Sequence, residues 1–274
     1  MILDKLTVRI PLPQGGTVHA ATDVCLTLVK GQIHALIGES GCGKSTIALA
    51  IMGLLTPSAR VSGSITFMNE NILGKQERLL GHHIALVPQS AATFLTSVRT
   101  VGSQLKETIK CLNGINTAET LLRQVDLTPD ILDRYPHEIS GGMAQRAALA
   151  FALAGDPEVI IADEPTASLD PERKNGILKL LRRIADRGKA IMLITHDISA
   201  LMDTEAADTV SVCYASKIVE NVDASRLYQG RVLSPYTKAL LAALPRNGLH
   251  RMPGTTPELT NLPEDYSYDM RVGS

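Results

Sequence analysis

Gly38-Glu39-Ser40-Gly41-Cys42-Gly43-Lys44-Ser45 is the stretch on which the reading of this chain turns. It fits G-x-x-x-x-G-K-[ST], and its flanks matter as much as the match. Upstream, Ile33–Ile37 is a short apolar run ended by Gly38 and reads as a buried strand. Downstream, residues 46–55 read as an apolar helix stopped by Thr56-Pro57-Ser58. A glycine-rich turn between strand and helix lets the backbone curl until several N–H groups point at one anion. The following helix adds the positive end of its dipole. Gly38, Ser40, Gly41, Cys42, Gly43 and Thr46 are therefore expected to surround phosphate oxygens. Lys44 can reach the β- and γ-phosphates of a nucleoside triphosphate, and the Ser45 hydroxyl can ligate its Mg²⁺.

Working outward, residues 5–10 and 24–29 read as strands, as do residues 64–68, with residues 69–71 as a turn. Residues 84–87 form a buried strand ending at Pro88. Between about 92 and 150 helical periodicity takes over and strand signals fade. Strand character returns at residues 159–162 and 191–195, with an amphipathic helix over residues 173–184 between them. Strand–helix alternation on both sides of a helical insert predicts an α/β core with a parallel sheet and an inserted α-helical subdomain.

Chemistry-bearing residues follow the strands. Val159-Ile160-Ile161-Ala162-Asp163-Glu164 puts two acids at the end of an apolar run. Buried strands in open α/β sheets present their carboxyl ends to the ligand crevice. Asp163 is expected near the metal and Glu164 beside the water that attacks the γ-phosphate. Alone, Asp-Glu-Pro also starts turns; the upstream phosphate loop tips the reading. His196, after residues 191–195, is placed to bond the γ-phosphate or its product. Gln89, just past Pro88, can contact metal or attacking water without adding charge.

A second anion-binding helix start follows from Ile139-Ser140-Gly141-Gly142-Met143-Ala144-Gln145-Arg146, which opens an apolar helix. Ser140 is a fitting N-cap, and Gly141 and Gly142 bare the backbone N–H groups. One small fold rarely needs two phosphate cradles. A dimer in which each protomer completes the other's site would use both.

With these motifs in order, the chain resembles the ATPase subunit of an ATP-binding cassette (ABC) transporter. Residues 38–45 resemble Walker A and residues 159–164 Walker B. Residues 139–143 resemble the Leu-Ser-Gly-Gly-Gln signature, with Ile139 for Leu and Met143 for the final Gln. Gln89 matches the Q-loop, Ser168-Leu169-Asp170 the D-loop and His196 the switch histidine. Order and spacing agree across roughly residues 5–225.

The resemblance implies a P-loop NTPase (RecA-like) core, an N-terminal antiparallel β subdomain, and a helical subdomain at about residues 92–150. Together these make an ATPase domain over residues 1–245. It implies ATP and Mg²⁺ as cofactors, with Ser45, Gln89 and Asp163 toward the metal. Glu164, His196 and Gln89 are the expected catalytic set. Two ATPase subunits, identical or different, should sandwich two ATPs. Ser140, Gly141 and Gly142 would then reach the partner's nucleotide, and Asp170 is implied as a further ATP-binding residue. The remaining partners implied are two integral membrane permease subunits and an extracytoplasmic solute-binding protein, with the ATPase peripheral on the cytoplasmic face of the plasma membrane.

A narrower resemblance points to the oligopeptide/dipeptide/nickel importer family. It rests on Tyr135-Pro136-His137-Glu138, on Ser234-Pro235-Tyr236-Thr237-Lys238-Ala239-Leu240-Leu241, and on Pro253-Gly254 with Pro257-Glu258-Leu259. Members often carry a cysteine-containing segment beyond such a tail. Here Pro263-Glu264-Asp265-Tyr266 stands there and no cysteine follows, which leaves nickel or metal-chelate uptake open beside peptide uptake. Ser90-Ala91-Ala92-Thr93-Phe94 also departs from the peptide-importer pattern, in a loop that faces the membrane partner. Family members usually stack an aromatic on adenine; between Pro11 and Cys25 there is no Phe, Tyr or Trp, and His19 is the only ring besides proline. The alternative of another class is an ABC-type ATPase of a soluble complex, such as a carbon–phosphorus lyase-like assembly. A regulator that binds nucleotide without hydrolysis conflicts with an intact Glu164 and His196.

Composition narrows the field further. The 274 residues are 45% hydrophobic, enough for one sizeable core. The 27 basic and 28 acidic residues nearly cancel, and aromatics make up 3% with no Trp, so neither a global field nor stacking platforms favour nucleic acid. Cys25, Cys42, Cys111 and Cys213 lie far apart and show no zinc spacing. No apolar stretch is long enough to span a bilayer and residues 1–13 lack a signal pattern, so a cytosolic chain is expected. Residues 246–274 are polar and Pro/Gly-rich and read as an extended tail.

Overall fold

The structure, a computed structural model, describes residues 1–90, 94–167 and 169–273. The departure noted at residues 91–93 and Ser168 of the D-loop match lie outside the described residues.

Six strands form the central sheet: β3 (Ile33–Ile37), β6 (Ile84–Val87), β7 (Val159–Asp163), β8 (Ala190–Thr195), β9 (Thr209–Tyr214) and β10 (Lys217–Asp223), in the order β10-β9-β3-β8-β7-β6. All neighbours are parallel except the β9–β10 hairpin. Strands buried on both faces should be mainly apolar, and β3, β6, β7 and β8 are, apart from His34 and the strand-end residues Asp163 and Thr195. Ile33, Ala35 and Ile37 of β3 and Ile160 and Ala162 of β7 face one core; Leu36, Val159 and Ile161 face the other. A second sheet, in the order β2-β1-β4-β5, is antiparallel: β1 (Ile2–Pro11), β2 (Thr17–Thr27), β4 (Arg60–Phe67) and β5 (Glu70–Asn71). It covers one face of the central sheet, with α1 (Lys44–Met52) sharing the core between them.

The other face carries α5 (Pro171–Asp186) and the insert, which comprises α2 (Val101–Cys111), α3 (Ala118–Gln124), short 3₁₀ turns and α4 (Gly141–Ala152). α6 (Ile198–Thr204), α7 (Ala224–Tyr228) and α8 (Pro235–Ala242) close this side. Helix α1 begins and ends earlier than the apolar run suggests, because the αL residue Gly53 stops it with its N–H on Ala50 and Leu49 carbonyls. β2 starts well before residue 24: residues 17–23 lack alternation but pair with β1 from Pro11↔Thr17 onward. β4 likewise begins at Arg60, paired with Arg9.

The tail folds back onto the ATPase domain. Thr260 bridges Val18 at the free edge of β2, and Asn261 exchanges hydrogen bonds with Thr17: its N–H donates to Thr17 O (2.8 Å) and its Oδ1 accepts from Thr17 N–H (2.9 Å). An otherwise open sheet edge is thereby covered. A last turn, α9 (Tyr268–Val272), carries Arg271 into the interior at 3% exposure.

Candidate active site

Four adjacent parallel strands, β3, β8, β7 and β6, end on one edge of the sheet. Their register aligns Ile37 with Thr195, Ile194 with Asp163 and Ala162 with Val87. The residues that follow are therefore thrown together although they are distant in sequence. The loop at 38–45 follows β3, His196 follows β8, Asp163 ends β7 with Glu164 after it, and Gln89 stands two residues beyond β6. One cleft of about 450 Å³ is lined at this end by Ser40, Gly41, Gly43, Lys44, Ser45, Thr46, Gln89, Glu164 and His196, with Asp163 behind Ser45.

Two glycines of the loop are required by close approach. A Cβ on Gly38 (φ +149°) would lie 2.2 Å from Cys213 O, and one on Gly43 (φ +110°) would lie 2.1 Å from Ala20 O. The loop is thus clamped between β9 and β2. Lys44 is 6% exposed, and its ammonium donates to Gly38 O (2.9 Å) and Glu39 O (2.8 Å). No carboxylate pairs with this ammonium among the described residues, so it is open to an incoming anion. Cys42 lies against it, its thiol lowered to about 7 by a hydrogen bond with Cys213 and by the Lys44 charge, against burial.

Ser45 Oγ donates to Asp163 Oδ1 at 3.3 Å. Burial raises the Asp163 carboxyl, more than Ser45 and Lys44 lower it, and Glu164 raises it further. Two hard oxygen donors side by side at a phosphate cradle suit Mg²⁺, which keeps waters and phosphate oxygens and asks little of the protein. Glu164 is 8% exposed and adopts φ +49°, a conformation that costs a non-glycine residue roughly 1 kcal/mol or more. Its N–H donates to Ile194 O (2.9 Å), and its Oε1 pairs with His196 Nδ1 (2.8 Å). The carboxylate is thereby aimed along the strand ends, and the His196 side chain reaches solvent at 57% exposure.

The second helix start lies elsewhere. Ser140 caps α4, accepting from Met143 N–H at 3.3 Å, and Ser140 and Gly141 are exposed. Ser140 and Gly142 border a separate hollow of about 260 Å³ with Asp126, Met143, Arg146 and Arg173, away from Lys44. Asp170 belongs to this side: it caps α5 by accepting from Arg173 N–H (3.0 Å) and pairs with Arg173 Nε (3.1 Å). Of the sequence-predicted residues, Ser140, Gly141, Gly142 and Asp170 are therefore not brought to the chain's own phosphate loop.

Other residues at the site carried no sequence signal. Glu39, inside the loop, is a hub: Arg271 Nη1 and Nη2 donate to its two oxygens (2.6 and 3.2 Å), and Tyr236 and Thr256 hydroxyls also reach it (3.3 Å each). The Glu39 pair holds the Arg271 guanidinium even more firmly protonated than usual. Tyr236, fully buried, stacks 4.2 Å from Tyr214, with Tyr268 5.5 Å away. The segment 234–241 thus acts structurally, tying the phosphate loop to the tail. Ile10, Val18 and Leu259 line the end of the main cleft away from the phosphate loop, while Ala20 lines it beside the loop, its carbonyl against Gly43. Among the described residues, no helix is long and apolar enough to cross a membrane.

The profile of the ABC transporter family matches residues 21–167. The chain is 35% identical over 289 residues to the probable D,D-dipeptide transport ATP-binding protein DdpD of Escherichia coli (strain K12), covering 97% of this chain and 87% of that one. It is 36% identical over 284 residues to the oligopeptide transport ATP-binding protein OppD of Lactococcus lactis subsp. cremoris (strain SK11), covering 96% and 83%. In fold it is similar to the dimeric ATP-binding cassette MJ0796 bound to ADP and Pi, with a TM-score of 0.69 and 24% identity over 81% of this chain and 97% of that one.

Proposed function

This chain belongs to the ABC transporter family, and from that premise we propose that it binds Mg·ATP and hydrolyses it to power an importer of peptide-type solutes. One observation carries the chemistry: Lys44, Ser45, Gln89, Glu164 and His196 border a single cleft at four adjacent strand ends. Lys44 and the loop N–H groups neutralise the triphosphate. Ser45 and Asp163 hold Mg²⁺, which when bound draws charge from the β- and γ-phosphates. Glu164 orients and deprotonates the attacking water. His196, already paired with Glu164, donates to the γ-phosphate oxygens as charge develops there.

The separation of the two helix starts supports a shared site. Ser140 and Gly141 are exposed at a positive helix end that faces outward, with Gly142 just behind them, so a second ATPase subunit, identical or related, is the natural holder of the phosphate they would meet. The importer further calls for two permease subunits and a solute-binding protein, with this chain peripheral on the cytoplasmic side. Phe94 (45% exposed) and Val98 (80% exposed), just past Gln89, offer the permease an apolar foothold. Of the cargo classes suggested by the tail resemblance, peptide is favoured because the relatives are named for dipeptide and oligopeptide transport.

The test is uptake of radiolabelled di- and oligopeptides, and of nickel, by cells with and without this subunit. Peptide uptake that disappears with the subunit supports the reading. Unchanged peptide uptake with loss of nickel uptake would reassign the cargo. Loss of neither, with the chain recovered in a detergent-free soluble complex, would favour the non-transport alternative.

A further inference from the structure

The main cleft has two chemically different ends. One is the phosphate cradle, with Ala20 against Gly43; the other is lined by Ile10, Val18 and Leu259. A nucleotide is built the same way, a polyanion at one end and a flat, weakly hydrated heterocycle at the other. With the triphosphate on Lys44, the base is left to the apolar end.

That apolar end is assembled from three chain segments. Ile10 of β1 and Val18 of β2 are directly opposed across the hairpin. Leu259 arrives from the C-terminal tail, fixed where it stands by His19 N–H donating to its carbonyl (2.8 Å) and by the Val18–Thr260 bridge. The same tail is bolted to the phosphate loop itself, through Thr256 and Arg271 on Glu39. Arg271 Nε also donates to Pro253 O (2.8 Å), so residues 253–271 close on themselves around that anchor. Cradle and apolar wall are therefore held in fixed relation by one set of contacts.

The geometry points to Leu259 as a base-contacting residue: the C-terminal tail completes the nucleotide site by supplying one side of the wall on which the base rests. This rests on the ATP-site reading above. The wall is aliphatic and presents area instead of a hydrogen-bonding edge, so adenine and guanine should depend on it alike.

The test compares ATP, GTP and inorganic tripolyphosphate, each with Mg²⁺, by calorimetry on the full chain and on Leu259→Ala and Leu259→Phe. Tripolyphosphate has no base and reports on the cradle alone. Leu259→Ala is expected to weaken ATP and GTP about five- to tenfold, from the apolar area lost, and to leave tripolyphosphate unchanged. Leu259→Phe, which keeps the apolar area, should retain nucleotide affinity. Unchanged ATP affinity in Leu259→Ala would overturn the proposal. So would equal weakening of ATP and tripolyphosphate, which would make Leu259 a support of the cradle. If the unmodified chain bound neither ligand, the ATP-site reading itself would fall, which the tripolyphosphate arm makes visible separately.

Discussion

Two helices of this molecule start at glycine-rich turns, and their surroundings are opposite. The start of α1 is enclosed: Lys44 is 6% exposed, Gly38 and Gly43 are jammed against Cys213 and Ala20 carbonyls, and Glu164 and His196 face it from neighbouring strands. The start of α4 is open: Ser140 and Gly141 are exposed, and its nearest charged neighbours are Arg173, Arg146 and Asp126. Both offer unpaired N–H groups and a positive dipole end. Only the first has the cation and the carboxylates needed for chemistry. On the function proposed above, the same local motif serves as a reaction site where four strand ends converge on it, and as a docking surface where none do.

Glu164→Gln should split binding from chemistry at the first helix start. Turnover is expected to fall about a thousandfold, the usual worth of a positioned base, with ATP affinity in calorimetry preserved. Turnover within threefold of the unmodified chain would show that Glu164 is not the base.

The enclosed start also rests on a buried strand whose His34 is held neutral. Burial between Thr209 and Ser211 pushes that imidazole down from 6.5 to about 4. A depressed histidine disfavours the folded state once the unfolded chain can take a proton. The stability is whole above about pH 6.5 and is lost as pH falls from 6.5 toward 4, about 3 kcal/mol in all. Denaturant unfolding at stepped pH should show this slope, and His34→Asn should flatten it. An equal slope in the variant would place the acid sensitivity elsewhere.

The open start is predicted to matter for hydrolysis and not for nucleotide binding to the single chain. The nearest atoms to a Cβ at Gly142 all belong to the flexible Arg173 side chain, Cδ first at 3.2 Å, so Gly142→Asp should fold. It should leave ATP binding to the single chain unchanged and lower turnover about a hundredfold, by setting an anion where a donor is needed. Weakened ATP binding in dilute monomer would mean that the two starts are not independent. The smallest effect is expected of Ser140→Ala, which removes the α4 cap and should cost about 1 kcal/mol of stability in thermal unfolding.

What the sequence disclosed follows the same divide. β3, the phosphate loop and α1 were legible because a mostly apolar run broken only by His34, a glycine turn and a helix are local signals. Strands β6, β7 and β8 were legible because strands buried on both faces are apolar along nearly their whole length, Asp163 and Thr195 falling at the strand ends. The early part of β2 was not, since residues 17–23 carry no alternation and owe their extension to β1 on one side and the tail on the other. Nor was the tail's position: Arg271 and Glu39 are 232 residues apart, and a lone arginine in a polar segment has no periodicity to betray its partner. Asp170 reads from sequence as a nucleotide contact and is found capping α5 beside Arg173.

The account stands most directly on ATP turnover per chain measured against chain concentration, with ATP binding and sedimentation followed in parallel. The prediction is that binding per chain stays constant on dilution while turnover per chain collapses as the protein becomes monomeric. Turnover per chain that held constant down to fully monomeric protein would contradict it, and would mean that the cleft at Lys44 and Glu164 works without a second subunit's Ser140 and Gly142.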